Sequence, residues 1–155
     1  MLFLDTLMVL FKGFRLEKHL TPVEFTGIYN NLYSISDSWA DLWMMLFITR
    51  VPVGRILMLK YNDVHEDVVF LKSHRRYKGE FLNMNISLKK LIEIRAKRYP
   101  DDVYIFQSHS NYKKFNQSPL TLIAFNRALK IASEKVTTKT VSSKSAYIKQ
   151  RLCYI

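Results

Sequence analysis

A chain of 155 residues, 48% of them apolar and with only four glycines and four prolines, can bury one ordinary core, which excludes a disordered tail. Its 24 lysines and arginines against 13 acidic residues leave a net charge of +11. That self-repelling excess points to a polyanion: first nucleic acid, whose contacts gain from counterion release, and second an anionic membrane surface.

The one cysteine, Cys153, excludes a disulfide framework and a cysteine-based zinc site, and it fits a reducing compartment, the cytoplasm. The four histidines, His19, His65, His74 and His109, lack ligand spacing, so neither a metal nor a cofactor is expected.

Residues 1–19 open with MLFLDTLMVLFKGF. This stretch is too short to span a bilayer and has no basic n-region, so no membrane attachment is expected. It reads as a packed segment or the remnant of a linker, and the domain is placed at 20–155. Thr21-Pro22-Val23-Glu24 is a capping box that starts a helix to about Tyr33. Ser38 to Asp41 resembles the same device, followed by apolar Trp39, Leu42, Trp43, Leu46 and Phe47 at helical spacing up to Thr49 or Arg50. Pro52 starts a further helix with Val53, Ile56, Leu57 and Leu59 inward. The period then changes. Asp67–Leu71 and Glu80–Ile86 predict two strands joined by the basic turn KSHRRYKG at 72–79. Ser87 is expected to cap a helix to Arg98, with Leu88, Leu91, Ile92 and Ala96 inward. Val103–Phe106 is a short buried run and 107–117 a polar loop. Ser118-Pro119 is expected to open a helix with Leu122, Ile123, Phe125, Leu129 and Ala132 inward. After a threonine-rich stretch, the segment from Ser143 to Leu152 is expected to be helical. The predicted class is α+β, mostly helical, with a small antiparallel hairpin.

LTPVEF at 20–25, TRVPVGRILMLKYNDV at 49–64, the basic hairpin, NISLKKLIEI, YIFQSHSN and PLTLIAFNRALKIAS follow one another in an order that resembles the catalytic domain of the tyrosine recombinases, the phage-integrase family. The resemblance covers about residues 20–152 and implies that family's fold and a role in DNA integration and recombination. In the family the turn reads Thr-Gly-x-Arg-x-x-Glu, followed by Leu-x-x-Leu-x-Trp-x-Asp. Setting Thr49 on the threonine and Asp63 on the aspartate needs no gap. Arg50 then falls on the glycine, Pro52 on the phosphate-gripping arginine, Arg55 on the acidic position and Tyr61 on the tryptophan. A two-residue shift turns a helical side chain by roughly 200°, so neither Arg50 nor Arg55 is expected to replace the arginine.

The resemblance also implies a general-acid lysine in the hairpin loop, for which Lys78 is the best match, as a vestigial catalytic residue, and Lys72 the next. It implies a His-x-x-Arg motif beyond the last long helix. No histidine follows His109, and no arginine lies between Arg127 and Arg151, so the motif is absent in every register. Tyr147 and Tyr154 are not at the spacing of the family's tyrosine nucleophile, and the chain is expected to stop short of it.

Cations cluster at Arg50 and Arg55; at Lys72, Arg75, Arg76 and Lys78; at Lys113 and Lys114; and at Lys144 and Lys149. These are the expected contacts to double-stranded DNA, mainly to its backbone. Three readings stay open: a DNA-binding protein that does not cleave on its own; a recombinase fragment completed by a partner chain; and a module that associates with itself or regulates a full-length recombinase.

Overall fold

The computed structural model of the chain describes residues 14–15, 20–110, 116–146 and 151–152. Its helices are α1 (Pro22–Ile35), α2 (Asp37–Thr49), α3 (Val53–Leu57), α4 (Ile86–Arg98) and α5 (Leu122–Ser133). Its strands are β1 (Phe14–Arg15), β2 (Val64–His65), β3 (Val68–Leu71), β4 (Glu80–Asn83) and β5 (Arg151–Leu152). Tyr61–Asp63 and Ser143–Ala146 form 3-10 turns. The class is α+β and mostly helical, as the sequence predicts.

α1 begins with the expected capping box: Glu24 N–H donates to Thr21 Oγ1 at 3.1 Å and Thr21 N–H to Glu24 Oε2 at 2.7 Å. α2 is the central element. Ala40, Leu42, Trp43, Met45 and Leu46 have no exposed surface at all, the pattern of a helix surrounded by others. Phe25 of α1 stacks on Trp43 at 5.0 Å, and Trp39 stacks on Phe125 of α5 at 5.9 Å. Asn31 Nδ2 donates to the carbonyl of Ala132 at 2.9 Å, tying α1 to α5.

The start of α2 differs from the sequence expectation. Ser36 is its N-cap, accepting from Ser38 N–H at 3.3 Å, while Ser38 and Asp41 lie within the helix and are buried. Their partner is Arg95 of α4, which has no exposed surface. Arg95 donates from Nη1 to Asp41 Oδ2 (2.9 Å), from Nη2 to Ser38 Oγ (3.0 Å) and from Nε to the carbonyl of Ile105 (2.8 Å). Its guanidinium packs 4.7 Å from the Phe106 ring centroid. The inner face of α4 is therefore Leu88, Leu91, Ile92 and Arg95, and Ala96, expected inward, is only half-buried. α4 is capped by Asn85 rather than Ser87: Asn85 Oδ1 accepts from Leu88 N–H at 2.8 Å. Ile86, expected in a strand, is the first helical residue and points to solvent.

The predicted strands pair antiparallel with Val69 opposite Leu82, and β2 adds a third strand on the far side of β3, giving the order β2-β3-β4. α5 starts at its cap Thr121, while Pro119 bridges to Gln107. Leu122 and Ile123, expected inward, are exposed, and Ala128 takes their place beside Phe125, Leu129 and Ala132. The last segment is not one helix: Arg151 and Leu152 pair antiparallel with Arg15 and Phe14. No described helix is long and apolar enough to cross a membrane.

Candidate nucleic-acid interface

α2 ends at Thr49 because Arg50 turns left-handed, φ 56° and ψ 19°, with its N–H returned to the carbonyl of Leu46 at 2.9 Å. Pro52, φ −52°, then starts α3, which Val53, Ile56 and Leu57 anchor in the core. The reversal leaves Arg50 exposed at the rim of a cleft of about 760 Å³. Pro52 lines the cleft at the position where the resemblance implies the phosphate-gripping arginine.

The 72–79 loop forms the facing wall. His74 and Tyr77 exchange both backbone hydrogen bonds at 2.9 Å, so Arg75 and Arg76 make a two-residue turn, with Arg75 at φ 52°. Two guanidinium groups approach the Tyr77 ring, Arg55 at 5.3 Å and Arg76 at 5.4 Å from its centroid. His74 folds down onto α3: a Cβ on Gly54 would meet His74 Nε2 at 3.2 Å, so glycine permits this approach. The third wall is the 3-10 turn that follows α5, where Ser143 is buried and Lys144 exposed, with Leu122 beside them. This turn brings a lysine to the cleft from the region in which the resemblance implies His-x-x-Arg.

The cleft thus gathers Arg50, His74, Arg75, Arg76 and Lys144, and among the described residues no acidic side chain lines it. Two carboxylates of the hairpin region have their own cationic partners: Glu80 pairs with Arg55 at 2.7 Å, and Asp63 with Lys72 at 3.5 Å. The two non-glycine residues with positive φ among the described residues, Arg50 and Arg75, both line it.

The sequence-predicted cations divide. Arg50, Arg75, Arg76 and Lys144 come together around the cleft. Arg55, also expected to contact DNA, is 4% exposed, because its guanidinium turns under the loop to Glu80 and three carbonyl groups. Lys72 and Lys78 lie on the loop stems outside the cleft lining. Lys78 is exposed and its carbonyl accepts from Arg55 Nη2 at 2.7 Å. Lys113, Lys114 and Lys149, like Tyr147 and Tyr154, lie outside the described residues. Sequence reasoning missed His74 and Tyr77 as cleft residues. The only signal for them was their place inside the basic turn. Among the described residues no group of histidine, cysteine and carboxylate side chains could hold a metal ion.

The helical core, the three-stranded sheet and a cationic cleft between them define a fold like the catalytic domain of the tyrosine recombinases. The chain superimposes on a lambda integrase dimer bound to a COC′ core site with a TM-score of 0.66, at 15% identity over 83% of this chain and 38% of that one. It superimposes on the lambda integrase catalytic core at 0.65 and 15% identity, over 83% and 78%, and on XerA recombinase at 0.63 and 18% identity, over 86% and 48%. It spans less than half the length of the lambda integrase dimer chain and of XerA. No family model matches the chain, and no curated protein sequence is significantly similar to it.

Proposed function

We propose that the chain is a DNA-binding protein of the recombinase type that grips the duplex backbone at the cleft and does not cleave DNA on its own. The observation that carries this is the convergence of Arg50, Arg75, Arg76 and Lys144 on one cleft that, among the described residues, no acidic side chain lines. A phosphodiester supplies the missing negative charge, and forked guanidinium donors match its oxygens. The neighbouring fold in a lambda integrase dimer bound to a COC′ core site supports duplex DNA as that partner. Cleavage needs charge stabilisation at the scissile phosphate and a nucleophile. Pro52 offers no side-chain donor where the resemblance implies an arginine.

Fluorescence anisotropy of a labelled duplex, titrated across salt concentrations, tests the binding. With about five phosphates contacted, log K should fall against log salt with a slope of about −4.5. A flat response refutes the reading. Supercoiled plasmid incubated with the protein should stay unnicked and free of covalent adducts, and nicking would favour an active recombinase fragment. The exposed Ile123 and Ile131 on one face of α5 favour self-association or docking on a full-length recombinase as a second role, which sedimentation with and without DNA would test.

A further inference from the structure

One side chain joins the scaffold beneath the cleft to the loop above it. Arg55 projects from α3 with its side chain 2% exposed. Nη1 donates to Glu80 Oε1 at 2.7 Å, and Nη2 donates to the carbonyl of Lys78 at 2.7 Å and to those of Leu71 and Lys72 at 3.3 Å. Leu71 and Lys72 belong to the stem that enters the basic loop; Lys78 and Glu80 belong to the stem that leaves it. The guanidinium also packs against the Tyr77 ring inside the loop. A planar group with forked donors can reach both stems at once, which an ammonium group cannot do with the same span.

The loop needs such a tether. Arg75 and Arg76 are adjacent cations, Arg75 sits in the left-handed region, and no described ion pair engages either residue. Arg55 also carries the charge opposite to the one the resemblance implies at its position, and Glu80 provides the matching carboxylate across the hairpin.

We propose that Arg55 is a positioning residue. It contacts no phosphate, and it clamps the two stems of the 72–79 loop onto α3 so that Arg75 and Arg76 face the cleft together with Arg50 and Lys144. Its consequence for affinity rests on the DNA-binding reading; the clamp itself does not.

The test uses the full chain with Arg55→Ala, Arg55→Lys and Glu80→Ala. Limited trypsin digestion read by mass spectrometry reports cutting after Lys72, Arg75, Arg76 and Lys78. Arg55→Ala should raise the cutting rate there about tenfold while sites elsewhere keep their rates, because only the loop opens. Arg55→Lys should restore part of the protection, and Glu80→Ala should lose part of it. In parallel, Arg55→Ala should make the salt slope of duplex binding shallower by about two, the share of the two misplaced arginines, although no exposed charge has been removed. Loop cutting at the wild-type rate in Arg55→Ala, or an equal rise at every site, overturns the proposal. If Arg55→Ala does not fold, Glu80→Ala decides in the same way. A wild-type chain that fails to bind duplex DNA would remove the DNA reading and leave the trypsin result to judge the clamp.

Discussion

Replacing Arg50 with glycine should stabilise the protein and, on the proposed DNA-binding reading, weaken its hold on DNA at the same time. Arg50 occupies φ 56°, ψ 19°, at the C-cap of α2. An L-residue there costs about 1–2 kcal/mol, and glycine costs about 0.5–1 kcal/mol through its freer unfolded chain, so the net gain is about 0.5–1 kcal/mol. For a chain of 155 residues that raises Tm by about 1–4 °C. Losing one phosphate contact makes the salt slope shallower by about 0.9, which extrapolates to about eightfold weaker binding at 0.1 M salt relative to 1 M. Arg50→Ala separates the two effects: it removes the charge and retains the strained Cβ, so it should weaken binding equally without raising Tm. Differential scanning calorimetry and anisotropy titrations on the same preparations provide both readings. A lower Tm for Arg50→Gly would mean that the arginine stem stabilises the turn by more than the strain costs. An unchanged salt slope would mean that Arg50 does not face the DNA.

Two further outcomes follow from the core and the first helix. Asp41→Ala leaves the Arg95 guanidinium buried with its ion pair broken, which should cost about 3–5 kcal/mol in urea unfolding, and Asp41→Leu combined with Arg95→Met should recover most of that loss. The Glu24 carboxyl is lowered from its ordinary 4.5 to about 2, first by the Lys139 ammonium and then by the Thr21 N–H. Its folded-state pKa is depressed, so its contribution is fully present above pH 4.5 and is lost as the pH falls towards 2. Glu24→Gln should remove that part of the acid transition followed by circular dichroism, and an unchanged profile between pH 5 and pH 2, about the window set by those two pKa values, would refute the assignment.

The elements legible in the sequence were those that local chemistry specifies. The Thr21–Glu24 box, the apolar run of α2 and the β-branched Val68–Leu71 strand need few distant partners to declare themselves. Several of the errors share one cause. Ser38 and Asp41 have the residue types of a cap, yet they are inward-facing because Arg95, more than fifty residues away, lies within reach. A helical template at i, i+3, i+4 and i+7 from Leu88 puts residue 95 inside, yet apolar Ala96 at i+8 is the easier choice by residue type than an arginine. Likewise Arg55 reads as one cation among many until the fold brings Glu80 within 2.7 Å of it. The pairing of Arg15 with Arg151 joins the two ends of the chain and has no local signal. For the candidate site, charge type and loop position identified Arg50, Arg75, Arg76 and Lys144, whereas burial and the place of His74 and Tyr77 depended on contacts across the fold.

Strain and repulsion coincide at the cleft, which bears on what the cleft is for. Left-handed Arg50 and Arg75 each cost free energy that glycine would save, and neither side chain packs into the core. Four cations around one cleft also repel one another, and Glu80 and Asp63 of the hairpin region are paired with Arg55 and Lys72. The rigid parts nearby sustain this arrangement: α2 is largely buried, the Arg95 hydrogen bonds fix α4 against it, and the Arg55 hydrogen bonds fix the hairpin stems against α3. Glycine at 50 and 75 would relax the backbone and leave the packing untouched; what it would remove is positive charge at the cleft. An anion seated there offsets the repulsion and leaves the backbone strain in place. Duplex DNA at about 100 times its Kd should then stabilise the protein by about 2.7 kcal/mol through linkage alone. Geometry and charge pull in opposite directions at both positions, and on the proposed DNA-binding reading the residues present are the ones that favour binding a polyanion over stability.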